Sequence, residues 1–252
     1  MYQEERMMMI LRHLKKHHRI SVQEICEMFR VSRDTARRDL VKLSEQNSII
    51  RTRGGAILPV LEKEVDSYKK RVGQKSEAKA KIGRLAAANI HPRDHILMDT
   101  STTVQYAAQA LEAQNVVVVT NSIDIADILS GKEGVKLHVL GGVFDPHSRY
   151  IHGAATIRHL QEFRVNKCLM GGGGITKDGI FVKDEEEGQV VKQMIACSEQ
   201  VIVLADHTKF GKQFFYQVCR LEDIDLLVTD RLPDHWKECL EKANVEWSVA
   251  ER

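Results

Sequence analysis

The sequence predicts an α/β protein in which a small, mainly helical N-terminal domain is joined to a larger domain with a mainly parallel β-sheet. Three patterns of helical periodicity and a short hairpin fill the first part of the chain, and from about residue 76 short apolar runs alternate with helical patterns. Strands that alternate with helices form a parallel sheet covered on both faces. We therefore expect a first domain over residues 1–58, a linker over residues 59–75 and a second domain over residues 76–252.

The composition excludes several classes of protein. With 43% hydrophobic and 29% charged residues, the 252-residue chain has enough apolar side chains for a buried core and is unlike a disordered protein. It has no apolar stretch of the ~18 residues that a membrane span needs, and its N-terminal residues lack the features of a signal peptide. The five cysteines have neither metal-binding nor redox spacing. We therefore expect a cytoplasmic protein with reduced thiols, no membrane partner, no metal site and no cofactor.

Positive charge is concentrated near the N-terminus. The whole chain has a formal net charge of +2, but residues 1–60 contain 12 lysines and arginines against 7 acidic residues. That segment therefore has a net charge of +5, and the rest of the chain has a net charge of −3. Such an asymmetry favours a nucleic-acid-binding head on a nearly neutral body, because phosphates attract clustered basic side chains.

The basic segment has the pattern of a winged helix-turn-helix domain. Apolar residues at helical spacing predict a helix over about residues 4–17. A capping box of Ser21 and Glu24 begins a second helix, and Ser32 caps a third. Residues 49–58 then predict two short strands around a glycine turn, which form a hairpin, or wing. In this arrangement the third helix enters the major groove of DNA and the wing lies against the sugar-phosphate backbone.

Candidate DNA-binding residues lie on the third predicted helix and on the wing. Ser32 stands at the start of the helix, and the side chains expected to reach base edges follow it: Arg33, Thr35 and Arg37. Three further arginines are expected to bind phosphates: Arg38, Arg51 and Arg53. For any one of these arginines a solvated surface position is about as common as a DNA contact, so the prediction depends on the whole group.

The segment from Val31 to Ala56 resembles the N-terminal signature of the DeoR family of bacterial transcriptional regulators. It contains the Arg-Arg-Asp-Leu element at residues 37–40 and the Arg-x-x-Gly-Gly-Ala element at residues 51–56. The family usually has a β-branched residue before the paired arginines, where this chain has Ala36. The resemblance implies a winged helix-turn-helix domain that binds operator DNA.

Seven short apolar runs predict the strands of a Rossmann-like sheet in the second domain. They cover residues 95–99, 116–120, 135–140, 167–170, 201–206, 225–230 and 245–249. In such a sheet ligands bind beyond the carboxyl ends of the strands, and polar residues and glycines are concentrated at these ends. Residues 99–103 supply four hydroxyl groups before a predicted helix, where a phosphate can bind at the helix N-terminus. An ordinary Ser/Thr N-cap also fits these residues.

The strand ends resemble the effector-binding domain of the DeoR family, whose fold is similar to that of sugar-phosphate isomerases. Residues 206–211 match the family's Asp-x-Ser/Thr-Lys-Phe-Gly element, and residues 99–103 match its Asp-x-Gly-Thr-Thr element with Ser101 in place of the glycine. The resemblance implies a phosphorylated sugar as the effector. It also adds Arg149 as a second cation for an anionic ligand and Glu185 as an acid that faces the sugar.

The predicted effector-binding residues are thus spread over several strand ends and loops. They are Asp99, Thr100, Ser101, Thr102, Thr103, Thr120, Asn121, Gly141, Gly142, Arg149, Gly171, Gly172, Glu185, Asp206 and Lys209. The glycines are included because they permit close approach of the backbone to a ligand, although a glycine run is more often only a turn.

Two functions fit these residues. The preferred one is a DNA-binding repressor of a sugar catabolism operon, assembled as a homo-oligomer (dimer or tetramer) and released from its operator by a phosphorylated sugar. The alternative is a sugar-phosphate isomerase-like enzyme with a DNA-binding domain, in which Asp99, Asp206 or Glu185 is the base and Lys209 the electrostatic stabiliser. We expect the regulator and no catalytic residues, because a DNA-binding head suits a sensor better than a metabolic isomerase.

Overall fold

A computed structural model describes residues 2–17, 19–45, 48–58 and 76–250. The chain divides into two compact units, Met1–Leu61 and Glu62–Arg252. The predicted linker, residues 59–75, lies outside the described residues. The domain limits expected at residues 58 and 76 border this segment and stay a prediction.

The first unit consists of three helices and a three-stranded antiparallel sheet. The elements are α1 (Gln3–His17), β1 (Arg19–Ser21), α2 (Val22–Phe29), α3 (Arg33–Glu45), β2 (Ile50–Thr52) and β3 (Gly55–Ile57). The strand order is β1-β3-β2. The three predicted helices and the hairpin of β2 and β3 are confirmed, whereas β1 is not in the sequence prediction. A three-residue strand is too short to show the alternation by which strands are recognised.

Local signals in the sequence set the ends of α2. The Ser21 side chain accepts a hydrogen bond from the Glu24 backbone N–H (3.1 Å), and the Glu24 side chain accepts one from the Ser21 N–H (2.7 Å). The predicted capping box is therefore present. The helix ends at Phe29, and the next residue, Arg30, caps it in the left-handed conformation with φ 52°. This compact ending leaves only a short turn before α3.

A buried ion pair joins α1 to α3. Asp39 is completely buried, and its carboxylate accepts hydrogen bonds from Arg6 Nε (2.8 Å), Arg6 Nη2 (3.1 Å) and Gln3 Nε2 (2.9 Å). The hydrogen bond to Asp39 raises the pKa of Arg6 above its usual value, so the guanidinium stays charged. One of the acids in the charged segment of α3 is therefore part of the core, not of the solvated face.

The second unit is built on a seven-stranded sheet in which neighbouring strands are parallel. The strands are β4 (His95–Met98), β5 (Val116–Thr120), β6 (Val135–Val139), β9 (Val165–Gly171), β12 (Ser198–Leu204), β14 (Leu226–Thr229) and β15 (Glu246–Val249). Their order across the sheet is β15-β14-β12-β9-β4-β5-β6. Each of the seven predicted runs overlaps one of these strands, with ends that differ by up to three residues, so the predicted parallel sheet is confirmed.

Helices and two smaller sheets complete the described part of the second unit. The helices are α4 (Glu77–Ala87), α5 (Thr102–Ala110), α6 (Ile123–Ser130), α7 (Ala154–Leu160), α8 (Glu185–Ala196) and α9 (Asp234–Lys242). The smaller sheets contain β7 (Val143–Asp145), β8 (Tyr150–His152), β10 (Gly174–Thr176), β11 (Gly179–Val182) and β13 (Tyr216–Cys219). A 3-10 turn, His207–Lys209, follows β12. Among the described residues, no helix is long and apolar enough to cross a membrane.

Both faces of the large sheet are buried, as expected for a parallel sheet. Successive side chains of a strand point to opposite faces. Ile96 and Met98 belong to the core cluster that includes residues of α4, α5 and α6, whereas Leu97 belongs to the cluster that includes residues of α7, α8 and α9. Because the strands are parallel, their carboxyl ends meet at one edge of the sheet, which positions the predicted site residues of the second unit.

Candidate functional site

A basic groove lies in the first unit between α3, the start of α2 and the wing formed by β2 and β3. It has a volume of about 320 Å³. Arg33 and Arg37 line it from successive turns of α3, and Arg51 and Arg53 line it from the wing. All four side chains are exposed. The fold thus brings together arginines that are up to 20 residues apart in the chain, as a surface for phosphates and base edges requires.

The remaining predicted DNA-binding residues lie on or beside the first turn and a half of α3. The Ser32 hydroxyl accepts a hydrogen bond from the Thr35 backbone N–H (3.2 Å) and lies 3.0 Å from the Thr35 hydroxyl. Ser32 therefore caps α3, as the sequence predicts. Arg38 is exposed on the same helix, although it is not among the residues that line the groove. The division of these side chains between bases and phosphates stays a prediction.

In the second unit, Asp99 links two strand ends. It follows β4 directly and is 6% exposed. Its Oδ1 accepts a hydrogen bond from the Ser101 N–H (2.8 Å), and its Oδ2 accepts one from the Gly171 N–H (2.8 Å) at the end of β9. Asp99 thus shapes the loop before α5 and ties it to the neighbouring strand.

Ser101 closes the N-terminus of α5 with its own side chain. Its Oγ accepts a hydrogen bond from the Thr103 N–H (3.2 Å). The side chain also lies against Gly171, since a Cβ at that glycine would be 2.4 Å from Ser101 Cβ. Ser101 therefore forms an ordinary N-cap, the alternative to a phosphate site that the sequence left open. Thr100, Thr102 and Thr103, which are all buried, form the rest of the predicted cradle.

Asp206 and Lys209 occupy the turn that follows β12. Asp206 Oδ1 accepts hydrogen bonds from the Thr208 N–H (2.9 Å) and from the Thr208 hydroxyl. Burial alone would raise the pKa of Asp206, but the Thr208 hydrogen bonds and the charges of Lys209 and Lys79 outweigh it and hold the pKa below its usual value. The carboxylate is therefore ionised at neutral pH, and the positive charges of two lysines contribute to this.

A second carboxylate holds the same turn in place. Asp230, at the end of β14, accepts a hydrogen bond from the His207 N–H at Oδ1 (2.7 Å). Its Oδ2 lies 2.7 Å from His207 Nδ1. Sequence reasoning missed this residue, because no local pattern shows that the strand ends of β12 and β14 are neighbours. Asp230 fixes the backbone that presents Lys209.

Sequence reasoning also missed Lys79, a residue of α4. Its Nζ donates a hydrogen bond to Thr102 Oγ1 (3.0 Å). Its charge contributes to the low pKa of Asp206, so the lysine lies near the strand ends of the predicted site. In the sequence Lys79 is one of several lysines in a segment without strand or motif signals. Only the packing of α4 beside α5 reveals it.

The ends of β5 and β6 contribute mainly structural groups. The buried Thr120 hydroxyl donates to the Met98 carbonyl (2.8 Å) and accepts from the Ser122 N–H (3.0 Å). Asn121 is 3% exposed and donates from Nδ2 to the Ile151 carbonyl (2.9 Å). Its buried Oδ1 has no hydrogen-bond partner among the described residues.

Three of the four predicted glycines, Gly142, Gly171 and Gly172, lie close to their neighbours, whereas a Cβ at Gly141 would have nothing within 4 Å. The Gly141 carbonyl accepts a hydrogen bond from Thr156 Oγ1 (2.9 Å), and a Cβ at Gly142 would lie 2.1 Å from the same oxygen. A Cβ at Gly172 would lie 3.0 Å from the Ala205 Cβ. Protein atoms alone thus account for the absence of side chains at Gly142 and Gly172, and close approach to a ligand stays a prediction.

Arg149 and Glu185 make local contacts. Arg149 Nε donates to both carboxylate oxygens of Asp124 (2.8 and 3.0 Å), so an acid already neutralises part of its charge. Glu185 is exposed in the first turn of α8 and accepts a hydrogen bond from Gln189 Nε2 (2.9 Å). The proposed roles of both residues toward a ligand stay predictions. Among the described residues, no group of three or more His, Cys, Asp or Glu side chains is placed to hold a metal ion.

Comparison with known protein families identifies the domains that contain the two candidate sites. Residues 6–60 match the family model of the DeoR-like helix-turn-helix domain, and residues 74–231 match that of the DeoR C-terminal sensor domain. The chain belongs to the DeoR family. It is a DNA-binding transcriptional regulator.

Individual relatives of this DeoR-family protein are named as repressors. The HTH-type transcriptional repressor GlcR of Bacillus subtilis (strain 168) is 50% identical over 253 residues, covering 100% of this chain and 98% of that protein. The glycerol-3-phosphate regulon repressor of Escherichia coli (strain K12) is 32% identical over 235 residues, covering 92% of this chain and 93% of that protein. These relatives favour a regulator over the isomerase-like enzyme that the sequence left open.

Among solved structures, ribose 5-phosphate isomerase from Plasmodium falciparum is a distant neighbour of this DeoR-family chain. It has a TM-score of 0.40 and 16% sequence identity, and the match covers 53% of this chain and 52% of that one.

Proposed function

We propose that this protein represses an operon for sugar use in the bacterial cytoplasm and that a phosphorylated sugar releases it from operator DNA. The proposal rests on one observation above all. A chain that begins with a winged helix-turn-helix unit also gathers Lys79, Lys209 and Asp206 at one edge of a parallel sheet. Such an edge is where α/β proteins bind small ligands.

The chemistry of this edge suits a phosphorylated sugar. Ammonium groups bind phosphate oxygens through charge-assisted hydrogen bonds. An ionised carboxylate such as Asp206 accepts hydrogen bonds only, so it suits the hydroxyl groups of a sugar. The name of the Escherichia coli relative, a glycerol-3-phosphate regulon repressor, also supports a small phosphorylated effector.

On the DNA side, we assign the basic groove to the operator. Arg33, Thr35 and Arg37 contact base edges, Arg38, Arg51 and Arg53 contact phosphates, and Ser32 holds the start of the recognition helix α3. Helix-turn-helix proteins read two half-sites as symmetric pairs. We therefore propose that the protein acts as a homo-oligomer, a dimer or a tetramer.

Release requires that the effector bind one arrangement of the protein better than another. A ligand with equal affinity for both arrangements changes nothing. In this mechanism the arrangement that binds the phosphosugar holds the paired winged units at a spacing that does not fit the operator. The effector thereby lowers the affinity for DNA without touching the DNA-binding surface.

Fluorescence anisotropy on the DNA upstream of the protein's own gene tests this function. We expect specific binding relative to a scrambled duplex, and release by one member of a panel of triose, pentose and hexose phosphates but not by its unphosphorylated parent. The Lys209→Met variant should bind the same DNA and require much more effector for release. Equal affinity for the upstream and scrambled DNA, together with turnover of a sugar phosphate, would overturn the proposal in favour of the isomerase.

A further inference from the structure

The solvent side of α1 carries two adjacent methionines. Met8 is 61% exposed and Met9 is 45% exposed, whereas Ile10, on the opposite side of the helix, is completely buried. Residues three or four apart share one side of a helix, so the exposed Glu5 and Arg12 flank the two methionines. We call Glu5, Met8, Met9 and Arg12 the outer face of α1. Adjacent exposed apolar side chains with polar residues around them are typical of an interaction surface.

The charges of α1 are arranged symmetrically about the two methionines but with opposite sign. Acidic residues lie in the first turn of the helix and basic residues lie in the last turn. On the outer face, Glu5 stands three residues before Met8, and Arg12 stands three residues after Met9. An acid and a base at equal distances from an apolar centre make this face complementary to itself, as a two-fold symmetric interface requires.

An antiparallel pair of α1 helices, with a two-fold axis between Met8 and Met9, would use this complementarity. Met8 would lie opposite Met9 of the partner subunit, and Glu5 would lie opposite Arg12 of the partner subunit. The axis repeats each contact, which gives two ion pairs around an apolar centre. A parallel pair would place like charges opposite each other, so the charges select the antiparallel arrangement. The flexible methionine side chains can adapt to each other at the centre.

The outer face is separate from the DNA-binding surface of the first unit. Helix α1 packs on α3 through Arg6 and Asp39, and Asp39 belongs to the buried side of α3. The basic groove is lined by residues of α2, α3 and the wing and not by the outer face. A second copy can therefore contact α1 while the exposed arginines of α3 remain accessible to DNA.

We propose that the outer face of α1 binds the same face of a second copy of this chain and so pairs two DNA-binding units. This inference rests on the proposed homo-oligomer and names the surface that joins its DNA-binding units. One face of one helix makes a small contact, which suffices between units that an assembly already holds at high effective concentration. The contact gives the two recognition helices a fixed separation, which two half-sites of an operator require.

Cross-linking of the full chain tests which surface is paired. The background carries Cys26→Ser and Cys239→Ser, which remove the two cysteines that are not buried. In this background a short bismaleimide should join Met8→Cys to the same residue of a second copy. The matched control is Glu27→Cys, at an exposed position of α2 outside the outer face. We expect about tenfold more covalent dimer from Met8→Cys, because its thiols are held next to each other.

Charge reversal in the Met8→Cys chain tests the two ion pairs. Glu5→Arg and Arg12→Glu should each lower the dimer yield by roughly three- to tenfold, because two attractions become two repulsions. The double variant restores both pairs with reversed sign and should recover the yield. A mere loss of helix stability by Glu5→Arg would persist in the double variant, so recovery distinguishes pairing from misfolding. Glu27→Arg, the same change of charge outside the outer face, should leave the yield unchanged.

The outcomes separate this inference from the proposed function. Sedimentation velocity first gives the size of the wild type, free and on the upstream DNA. If the wild type is an oligomer but Met8→Cys cross-links no better than Glu27→Cys, the α1 interface is refuted while the proposed homo-oligomer stands. If the double charge variant loses as much dimer as the single variants, the antiparallel pairing is refuted. If the wild type is a monomer in both conditions, the homo-oligomer and the α1 interface are both overturned.

Discussion

Ser101 and Gly171 share one small space beside the end of β9. A Cβ at Gly171 would be 2.3 Å from Ser101 Oγ and 2.4 Å from Ser101 Cβ, which is too close for atoms that are not bonded to each other. The family motif that the sequence resembles has glycine where this chain has Ser101. The serine is accommodated here because its neighbour has no side chain. A side chain at Gly171 therefore requires a smaller residue at position 101.

This pairing predicts a non-additive result. Gly171→Ala should destabilise the second unit by about 1–3 kcal/mol, the usual cost of overpacking. Ser101→Gly alone should cost only a few tenths of a kcal/mol, because glycine is a fair N-cap. In the double variant the alanine fits beside the glycine. The double variant should therefore lose less stability than the sum of the losses of the two single variants. Urea unfolding followed by tryptophan fluorescence measures all three, and additive losses would contradict the shared space.

Arg38 and Arg37 are adjacent in the chain and are expected to do different work on DNA. Arg38→Ala should weaken binding to all sequences and reduce the slope of log K against log salt by about 0.9, because one phosphate contact is lost. Arg37→Ala should also relax the base preference at one position by roughly 1–3 kcal/mol. Arg158→Ala, an exposed arginine of the second unit, is the control. An unchanged salt slope for Arg38→Ala would mean that Arg38 is a solvated surface residue and does not contact a phosphate.

Helix α3 is held to α1 by a buried charge. Asp39 follows the paired arginines directly, and its carboxylate is paired with Arg6 of α1. The exposed arginines and the buried acid thus belong to opposite faces of one helix. The position of the recognition helix in the first unit depends on this pair as well as on the apolar core.

Removal of Asp39 should selectively unfold the first unit. Asp39→Ala removes the carboxylate that is paired with the buried Arg6 guanidinium, and breaking a buried ion pair costs about 3–5 kcal/mol. Both tryptophans, Trp236 and Trp247, lie in the second unit, so tryptophan fluorescence reports on that unit. We expect the circular dichroism signal of the helices to show an early transition in urea that fluorescence does not follow. If the circular dichroism and fluorescence transitions coincide and match those of the wild type, the Arg6–Asp39 pair is not needed for the stability of the first unit.

The elements of the large sheet could be predicted because its strands contain short apolar runs, although the edge strands β6 (VKLHV) and β15 (EWSV) also contain polar residues. A strand buried on both faces is mainly apolar, and Val116–Val119 of β5 is an example. The strands of the smaller sheets could not be predicted in this way. β10 and β11 are short and contain the glycines Gly174 and Gly179, which suggest a turn.

The site could be predicted only where its residues follow strands or belong to a contiguous motif. Asp99, Asp206 and Lys209 meet that condition. Lys79 and Asp230 do not, because their positions depend on which helix or strand lies next to them. Asp39 was hidden for another reason: a charge in a basic segment is usually solvated, and only packing shows that it is buried.

At the scale of the whole molecule, connectivity relates the two candidate sites. Helix α4 is the first described element after residues 59–75, which follow the DNA-binding unit in the chain. Lys79 lies in the first turn of this helix. A ligand that displaces this helix would therefore act on the first described element of the second unit, which the chain connects to the winged helix-turn-helix unit.

If effector and operator compete through one conformational equilibrium, their influence on each other must be equal. A saturating effector should weaken operator binding by some factor, commonly 5- to 150-fold in allosteric proteins, and saturating operator DNA should weaken effector binding by that same factor. The equality follows because the four bound and free states form a closed thermodynamic cycle.

Anisotropy gives the first factor and calorimetric titration of the effector into the protein–operator complex gives the second. A scrambled duplex of the same length is the control. Because it is held by phosphate contacts alone, it should change effector affinity less than the operator does. An effector whose weakening of operator binding grows in proportion to its concentration and reaches no plateau would refute release through a population shift, because such a shift saturates at the coupling factor. Release would then have to come from direct competition at the DNA surface, and the basic groove of the first unit would be the place to look for it.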